Sequence, residues 1–439
     1  VVLSTTTHEA FGRVVVEAQA AGVPVVATRV GGVIDIIEDG KNGLLVPPAD
    51  PRSMSEAVMR IFKDPQLART LAEKAYLKVK EKYNVELMVK NTLDVYREAL
   101  SNFKILVIKL SSLGDVILST AALRAIREKF PRPSYKVSFL VGEEAKDILL
   151  RCPYIDELLV CDPKNKDKGL RGLWQVGRVL RKKSFDFVID LQNNRFSHIL
   201  AYLSGSTGRY GYHNKKLSFL LNHAVENRDP LTDPVSHQFR ILKNLGIDLL
   251  DNSLELWPSK EDEEKVEEML NAHWLSQAQK IVGINISASK RWETKTWPME
   301  YLICLCEELG LKDIRVIITG TEEDQATAGM LINSLKNTKV INACGKTSIN
   351  ELAALIRRCQ VFISADSSPL HVASAVGTPF IALFGPTDAR RHLPPGKNYR
   401  VISKDLPCGP CYKPRCRKKN CMSQISPAEV FEAVMKLLR

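Results

Sequence analysis

Three loops of this chain carry polar side chains that could act together on one substrate. Asp115 lies in a tight turn, Ser111–Val116, between the apolar run Ile105–Leu110 and a helical pattern. Lys295, in the motif Lys-Thr-Trp-Pro, and Asp366–His371, in the motif Asp-Ser-Ser-Pro-Leu-His, occupy two more strand-to-helix loops. Such loops all open at the carboxyl edge of a parallel sheet, where this class of fold binds ligands. The pattern therefore predicts a site that combines a carboxylate with a cation.

Strand and helix patterns alternate through almost the whole chain, which is typical of parallel α/β architecture. We predict three domains, at residues 1–100, 101–270 and 271–439. Each domain opens with an apolar run typical of a strand: Val1–Ser4, Lys104–Leu110 and Lys280–Ile286. The last helical pattern, Pro427–Leu438, is expected to reach back to the middle domain.

The composition predicts a soluble globular protein without a membrane span. No run of about 18 apolar residues occurs, so no transmembrane helix is expected. Residues 1–30 do not resemble a signal peptide, because Glu9, Arg13 and Glu17 interrupt the apolar positions. The chain starts without Met inside an apolar run, so we expect a fragment or a truncated gene product. Six of the ten cysteines lie in segments typical of a core, which favours a reducing compartment.

The net charge of +12 indicates anionic partners. The charge is concentrated in residues 164–183, where eight lysines and arginines accompany a single acid, Asp167. Apolar residues, among them Leu170, Trp174 and Val179, interleave with these cations. Two interpretations stay open: a basic amphipathic helix on a membrane surface, or a solvated helix face packed on a core. Nucleic acid is not expected as a partner, because no recognised binding motif accompanies the charge.

Glu9 and Glu17 stand eight positions apart near the start of the chain, and the pair Gly31-Gly32 follows them. This pattern resembles the C-terminal domain of glycosyltransferase family 4. The resemblance implies that Glu9 faces a donor sugar and Glu17 ribose hydroxyls, while the glycines let backbone approach the ligand. The family's acceptor domain is absent, and half a cleft cannot orient two substrates. We therefore expect residues 1–100 to be an incomplete Rossmann-like α/β segment, either an inactive remnant or an accessory domain.

A second set of motifs runs from Lys104 to the end of the chain. In order they are Ser-Ser-Leu-Gly-Asp-Val, Asp-Leu-Gln, Lys-Thr-Trp-Pro, Gly-Thr-Glu, Gly-Lys-Thr-Ser, Ala-Asp-Ser-Ser-Pro-Leu-His and Phe-Gly-Pro-Thr. Their order and spacing resemble glycosyltransferase family 9, the heptosyltransferases of lipopolysaccharide core assembly. The resemblance implies the GT-B fold, in which two Rossmann-like domains enclose a central cleft. It assigns the acceptor to residues 101–270 and the donor nucleotide to residues 271–439.

The resemblance implies that Asp115 is the general base, which takes the proton of an acceptor hydroxyl as it attacks the anomeric carbon. An alternative role for Asp115 is a helix N-cap. The two roles can coexist, although capping lowers the pKa and weakens the base. Lys295 matches the family's lysine that meets the negative charge of the departing diphosphate. The alternative is that Lys295 is a surface lysine beside Trp297.

Six further residues are candidates for donor binding: Glu322, Asp366, Ser367, Ser368, His371 and Thr387. Backbone amides near Ser367 and Ser368, at a helix start, suit a diphosphate, whereas Glu322 follows a strand and suits ribose hydroxyls. Asp366 binds sugar hydroxyls or caps the helix. His371 contacts phosphate or is a buried core histidine, and Thr387 touches phosphate or shapes its turn.

A single attack assisted by one base inverts the anomeric centre, and the family is inverting. No cofactor is expected for catalysis, because a lysine and helix amides can replace a divalent metal. By the resemblance, the enzyme moves heptose from ADP-heptose to a lipid-linked, acidic lipopolysaccharide core saccharide. It would do so in the cytoplasm, peripherally at the inner membrane. Two alternatives stay open: a transferase that uses another nucleotide-sugar donor, and a non-catalytic scaffold.

Four cysteines lie close together near the end of the chain: Cys408, Cys411, Cys416 and Cys421. Four thiolates at this spacing could bind a structural zinc ion or an iron–sulfur cluster. Flanking lysines and arginines favour thiolate formation. Alternatively, these cysteines form disulfides or remain free thiols. A further possibility is that this basic loop contacts phosphates of the acceptor.

Overall fold

The chain forms two compact units in the computed structural model, Val1–Leu100 and Ser101–Arg439. The structure describes residues 1–5, 8–100, 103–226, 232–272, 280–288, 290–336, 338–417 and 420–438. Each unit has its own clusters of buried apolar side chains.

The N-terminal unit is a three-stranded parallel sheet with helices around it. Its strands, in spatial order, are β1 (Val2–Leu3), β2 (Val26–Thr28) and β3 (Leu44–Val46). Its helices are α1 (Arg13–Ala20), α2 (Val33–Ile36), α3 (Pro51–Lys63), α4 (Pro65–Lys82) and α5 (Val85–Leu100). Asp50 and Asp64 are the N-caps of α3 and α4, and a proline follows each of them, a pairing that favours a helix start. This arrangement agrees with the expected incomplete Rossmann-like segment.

The C-terminal unit contains two six-stranded parallel sheets. The first consists of β4 (Phe103–Ile108), β5 (Tyr135–Gly142), β6 (Glu157–Cys161), β7 (Phe187–Asp190), β8 (Gly208–His213) and β9 (His223–Glu226). The second consists of β10 (Ile281–Asn285), β11 (Arg315–Thr319), β12 (Val340–Asn342), β13 (Val361–Ala365), β14 (Phe380–Phe384) and β15 (Tyr399–Ser403).

Helices cover both sheets and define two lobes. The first lobe comprises the first sheet with α6 (Leu113–Lys129), α7 (Gly169–Lys183), α8 (Arg195–Leu203) and α9 (Pro234–Lys243). The second lobe comprises the second sheet with α10 (Lys260–Asn271), α11 (Met299–Gly310), α12 (Gln325–Ser334), α13 (Ile349–Arg358), α14 (Ser368–Ala375), α15 (Ala389–His392), α16 (Asn420–Ser423) and α17 (Pro427–Leu437).

The two sheets have the same strand order, and this order shows which loops lie where such sheets bind ligands. The first runs β6-β5-β4-β7-β8-β9 and the second β12-β11-β10-β13-β14-β15. In each sheet the first three strands in sequence run from the centre to one edge. The fourth strand returns to the centre beside the first, and the last two extend to the other edge, which is the Rossmann order. The reversal lies between β4 and β7, and between β10 and β13. The loops after β4, β10 and β13 therefore lie where such sheets bind ligands.

The two lobes are in contact through α6 and α14. Ile117 and Ala121 of α6 belong to the same cluster of buried side chains as Leu370 and Ala373 of α14. Because α6 follows β4 and α14 follows β13, the loops that precede these helices lie beside the contact between the lobes.

The structure departs from the sequence pattern in two respects. The pattern does not predict β3, β6, β8, β9 or β15. The last four lie toward sheet edges and keep many half-exposed side chains, whereas β3 is buried but only three residues long. The prediction that the last helix reaches back to the middle domain is wrong. Val430 and Val434, one turn apart on α17, are buried in the second lobe, where α17 packs on α11. Within the described residues, no helix is long and apolar enough to cross a bilayer.

Candidate active site

The turn after β4 holds the predicted base, Asp115. Ser112 is the N-cap of α6 and Asp115 is its third helical residue, so the alternative in which Asp115 is the N-cap is wrong. The Oδ2 atom of Asp115 accepts hydrogen bonds from the backbone nitrogen and Oγ of Ser112, each at 3.0 Å, which completes a capping box. The Asp115 side chain is 47% exposed. It therefore stabilises the helix start and remains accessible to a ligand.

Lys109 is a buried cation beside Asp115. Its Nζ lies 3.8 Å from Asp115 Oδ1 and donates to the carbonyl oxygen of Leu191 at 3.3 Å. Burial raises the pKa of Asp115, but the charge of Lys109 and the hydrogen bonds from Ser112 together outweigh it and lower that pKa below its usual value. Asp115 is thus ionised at neutral pH, as a proton acceptor must be. Sequence analysis missed Lys109, which follows β4 directly and whose only signal is its place in the apolar run Ile105–Leu110.

Gln192 holds the backbone that leads into the Asp115 turn. Its Oε1 accepts hydrogen bonds from the backbone nitrogens of Leu110 and Ser111, at 2.8 and 3.0 Å. Asp190, fully buried at the end of β7, accepts in turn from the backbone nitrogen of Gln192 at 2.9 Å. The motif Asp-Leu-Gln therefore positions the turn by joining the ends of β4 and β7.

Lys295 and Asp366 form an ion pair at the carboxyl edge of the second sheet. Lys295 Nζ lies 2.7 Å from Asp366 Oδ2 and also donates to the carbonyl oxygen of Asp366 at 3.2 Å. The two side chains are only 13% and 8% exposed, so Lys295 is not the surface lysine of the alternative interpretation. The ring centroid of Trp292 lies 4.6 Å from Lys295 Nζ.

Thr387 completes this pair from the loop after β14, donating from Oγ1 to Asp366 Oδ2 at 2.7 Å. Burial raises the pKa of Asp366, but the charge of Lys295 and the hydrogen bonds from Lys295 and Thr387 outweigh it and lower that pKa. Ser367, not Asp366, is the N-cap of α14, so the helix-capping alternative for Asp366 is wrong.

Ser367 and Ser368 begin α14 beside the ion pair. The Oγ of Ser367 lies 3.0 Å from the Oγ of Ser364 and receives a hydrogen bond from Asn285 Nδ2 at 3.3 Å. A pocket lined by Lys295, Asn285 and Ser364 adjoins this helix start. The positive end of a helix and a lysine therefore lie together, a combination that suits an anionic group.

Two histidines lie among these charged groups. His371, on α14, is buried, and so is the Nε2 atom of His392, which sequence analysis missed. Within the described residues, His371 Nδ1 and His392 Nε2 have no hydrogen-bond partner. Burial lowers the pKa of both, although the charges of Asp366 and Asp115 oppose it. Both rings are therefore neutral at pH 7 and each keeps one buried nitrogen without a partner in the described residues.

Gly114 and His371 bring the two lobes into direct contact. A Cβ atom built on Gly114 would lie 2.6 Å from Cδ2 and 3.1 Å from Nε2 of His371. The glycine thus allows the turn that carries Asp115 to approach α14, so the predicted base and the Lys295–Asp366 pair share one cleft.

Replacing Gly114 by Ala is expected to lower the free energy of unfolding by about 1–3 kcal/mol, because the new methyl group overlaps the buried His371 ring. Urea titration followed by circular dichroism measures this loss. Gly329→Ala is the matched control: Gly329 lies within α12, where a Cβ atom would meet nothing within 4 Å, so alanine there should stabilise by roughly 0.5–1 kcal/mol.

The double variant Gly114→Ala/His371→Ala distinguishes this overlap from a general helix effect. If the overlap is the cause, the double variant should lose less unfolding free energy than the two single variants lose in sum, because removal of the His371 ring makes room for the methyl group. Strict additivity would contradict the contact.

Glu322 follows β11, as predicted, but its side chain is exposed. Asp324 occupies the inner position of this turn, where its Oδ2 accepts from the backbone nitrogen of Thr321 and from Ser287 Oγ, both at 2.7 Å. A role for Glu322 toward ribose hydroxyls therefore stays a prediction. Asp324 instead links this turn to the loop after β10.

In the N-terminal unit, the two predicted carboxylates have local partners. Glu9 Oε1 accepts from the backbone nitrogen of Gly12 at 3.0 Å, and the exposed Glu17 pairs with Arg13 at 3.4 Å. A Cβ on Gly31 would lie 2.1 Å from the carbonyl oxygen of Glu9. The packing of the chain against Gly31 therefore explains this glycine by itself, without the predicted close approach of a ligand.

Among the residues that the structure describes, the four C-terminal cysteines form no disulfide, and Cys408 is exposed. Within the described residues, no three or more histidine, cysteine or acidic side chains are grouped to hold a metal, so the zinc and iron–sulfur predictions find no support. Lys418 and Lys419, which flank the cluster, lie outside the described residues. Of the six cysteines predicted in the core, Cys304 is an exception, because it is exposed on α11.

The cysteine-bearing loop instead braces the Lys295 loop. Thr294 Oγ1 donates to the carbonyl oxygen of Lys413 at 2.7 Å. The backbone nitrogen of Tyr412 donates to the carbonyl oxygen of Pro386 at 2.9 Å. The loop thus connects the neighbours of Lys295 and Thr387.

Two Rossmann-like lobes, with polar residues of both meeting in one cleft, form a GT-B fold. The family described as "Glycosyltransferase family 9 (heptosyltransferase)" matches residues 173–422, more than half of the chain. The chain belongs to this family and is a glycosyltransferase of the heptosyltransferase type. Residues 1–78 match a second family, "Glycosyl transferases group 1". Both matches confirm the resemblances predicted from the motifs.

Several similar proteins align with about three quarters of the chain. The "Lipooligosaccharide heptosyltransferase 2" of Campylobacter jejuni is 26% identical over 332 residues, covering 74% of this chain and 96% of the relative. The "Lipopolysaccharide heptosyltransferase 3" of Escherichia coli is 26% identical over 337 residues, with the same coverage of 74% and 96%. A solved family 9 glycosyl transferase from Veillonella parvula has a TM-score of 0.69 and 26% identity, covering 77% of this chain and 97% of its own. The ADP-heptose lipopolysaccharide heptosyltransferase II of E. coli has a TM-score of 0.62 at 23% identity, covering 76% and 98%, and supports the fold.

Proposed function

We propose that the C-terminal unit transfers heptose from ADP-heptose to an acidic, lipid-linked saccharide of the lipopolysaccharide core, with inversion at the anomeric carbon. The observation that carries this proposal is the contact between Gly114 and His371, because it unites Asp115 of one lobe with Lys295 and Asp366 of the other. The printed names of the relatives support heptose and lipopolysaccharide.

Asp115 is the general base. The acceptor hydroxyl oxygen attacks the anomeric carbon and gives its proton to the Asp115 carboxylate. Because Lys109 and Ser112 keep the pKa of Asp115 low, the carboxylate is a weak base toward a free alcohol. The proton therefore transfers late, once bond formation to the anomeric carbon has made the hydroxyl acidic.

Lys295 and the start of α14 stabilise the leaving group. The bond between the anomeric carbon and the diphosphate oxygen breaks as the new glycosidic bond forms, and ADP leaves with the electron pair. Lys295 and the α14 backbone amides near Ser367 and Ser368 meet the charge that develops on this diphosphate. His371 and His392 supply hydrogen bonds from their unpartnered ring nitrogens.

Asp366 sets the position of the cation. Its ion pair directs Lys295 Nζ, and Thr387, in the loop after β14, fixes the Asp366 carboxylate. Since these elements act by charge and position, the reaction needs no cofactor. The acceptor binds the first lobe and the donor nucleotide binds the second lobe, which begins with α10 at Lys260 and not at the predicted residue 271. The N-terminal unit is an accessory domain or an inactive remnant.

Calorimetric titration with a panel of ADP- and UDP-sugars tests the donor. ADP-heptose should bind and UDP-sugars should bind more weakly, and nuclear magnetic resonance of the product should show an inverted anomeric configuration. Binding of a UDP-sugar without binding of ADP-heptose would establish another donor. If no nucleotide sugar binds, the scaffold alternative replaces the proposal.

A further inference from the structure

Helix α7 presents apolar side chains to solvent. Its inward face consists of Leu173, Gly177 and Leu180, which are buried on the first sheet. On the other faces Leu170, Trp174 and Val179 are 85%, 57% and 52% exposed. Large apolar side chains at this spacing on one helix are more than scattered surface residues, and they indicate a binding surface.

The same helix and the loop before it are strongly basic. The cations are Lys164, Lys166, Lys168, Arg171, Arg178, Arg181, Lys182 and Lys183. Lys164 pairs with Glu144 and Lys183 with Glu157, whereas in the part of the chain that the structure describes the other six make no ion pair with a carboxylate. Asp167, the single acid in this segment, is buried and accepts from the backbone nitrogen of Asp162. The exposed face therefore carries uncompensated positive charge.

We propose that the outward face of α7, defined by Leu170, Arg171, Trp174, Arg178 and Lys182, docks on an anionic lipid bilayer. An amphipathic helix with cations beside exposed Trp and Leu lies in the bilayer interface, where its apolar side chains enter the headgroup boundary. Each cation near such a surface adds attraction. The guanidinium of Arg178 lies 5.4 Å from the Trp174 ring centroid, so charge and apolar surface adjoin on this face.

This docking would orient the active site. The loop of residues 162–168 joins the carboxyl end of β6 to the start of α7, so α7 begins at the sheet edge that holds Asp115. The end of β6 is two strands from the end of β4, roughly 10 Å away. A bilayer bound along α7 thus lies near the acceptor side of the cleft. The benefit of this orientation rests on the proposed lipid-linked acceptor, whereas the docking itself does not.

Flotation of the full chain with vesicles tests the docking. The wild type should bind vesicles of phosphatidylethanolamine and phosphatidylglycerol, should not bind phosphatidylcholine vesicles, and should dissociate as salt is raised. Arg171→Gln/Arg178→Gln/Lys182→Gln should weaken binding on the order of a hundredfold, because three interfacial cations are lost. Leu170→Ser/Trp174→Ser should weaken it by roughly tenfold or more.

Lys312→Gln/Lys336→Gln/Lys397→Gln is the matched control, since it removes the same charge from exposed positions of the second lobe. It should bind as the wild type does. Equal vesicle binding by the α7 variants and this control would overturn the proposal. So would binding of a single-stranded oligonucleotide by the wild type in place of vesicles.

An activity measurement separates this inference from the proposed function. The α7 variants should turn over a deacylated, water-soluble acceptor at the wild-type rate and lose activity only toward acceptor embedded in anionic vesicles. Loss toward both acceptors would overturn the docking role. Absence of activity in the wild type, with vesicle binding retained, would instead refute the proposed function alone.

Discussion

Asp115→Asn is expected to lower kcat by roughly 10²–10⁴-fold, because the general base is removed while the shape of the turn is kept. The asparagine Oδ1 can still accept from Ser112, which is the local bond that Asp115 makes now. Donor affinity should be nearly unchanged, because the donor is held by the second lobe. Initial rates of ADP release give kcat, and calorimetry gives donor affinity.

Asp262→Asn is the control for this variant, since Asp262 has the same place in a helix. It is the third residue of α10 and accepts from the backbone nitrogen and Oγ of Ser259, at 2.7 and 2.8 Å. Both variants keep the hydrogen-bond acceptor but lose a negative charge at a helix start, which should cost each about 0.3–1 kcal/mol of stability. Each also loses a charge pair, with Lys109 for Asp115 and with Arg151 for Asp262. Only Asp115→Asn should lose transfer. Donor turnover by Asp115→Asn at the wild-type rate would refute the assignment of the base.

The lowered pKa of Asp115 also predicts the acid side of the pH profile. Transfer requires the ionised carboxylate, and Lys109 and Ser112 keep it ionised below the ordinary aspartate pKa of about 3.9. Activity should therefore not fall through titration of Asp115 as pH is lowered from 7 to about 5. Lys109→Met should raise this pKa and move the acid limb of kcat/KM to higher pH.

Lys295→Ala is expected to lower kcat by roughly 10²–10³-fold, which is the loss seen when other enzymes lose one group that stabilises charge in the transition state. It should also destabilise the protein by about 3–5 kcal/mol, because the Asp366 carboxylate, 8% exposed, loses its counter-charge. Steady-state rates and urea unfolding measure the two effects separately.

The double variant Lys295→Ala/Asp366→Asn separates catalysis from stability. It replaces the unpaired carboxylate by a neutral amide that can still receive the hydrogen bond from Thr387. Unfolding free energy should recover most of its loss, while kcat should stay low because no cation meets the diphosphate. Recovery of kcat together with stability would show that Lys295 serves only the fold.

Much of the site could be predicted because its residues lie on loops with strong local signals. Asp115, Lys295 and Asp366 each follow a buried apolar strand, and carboxyl ends of parallel strands share one edge. The outcome for Asp115 also shows the limit of such reasoning. The sequence did not show whether the helix is capped by Ser112 or by Asp115, three residues later, because serine and aspartate both occur at helix starts.

Residues that act from within the core gave weak signals. Lys109 stands inside an apolar run, Gln192 belongs to the short motif Asp-Leu-Gln, and His392 ends the four-residue helix α15. Their importance comes from neighbours distant in sequence, such as Leu110 for Gln192 and Asp366 for His392. Such pairings depend on strand order, which periodicity does not reveal.

The sequence by itself determined the α/β class, the family and the loops that carry Asp115, Lys295 and Asp366, because strand periodicity and motif order are local properties of the chain. Only the tertiary structure decided that Lys295 pairs with Asp366, and that Gly114 meets His371 across the lobes. These contacts join segments brought together by packing. The pKa of Asp115 follows from them, since burial and the neighbouring charges set it together.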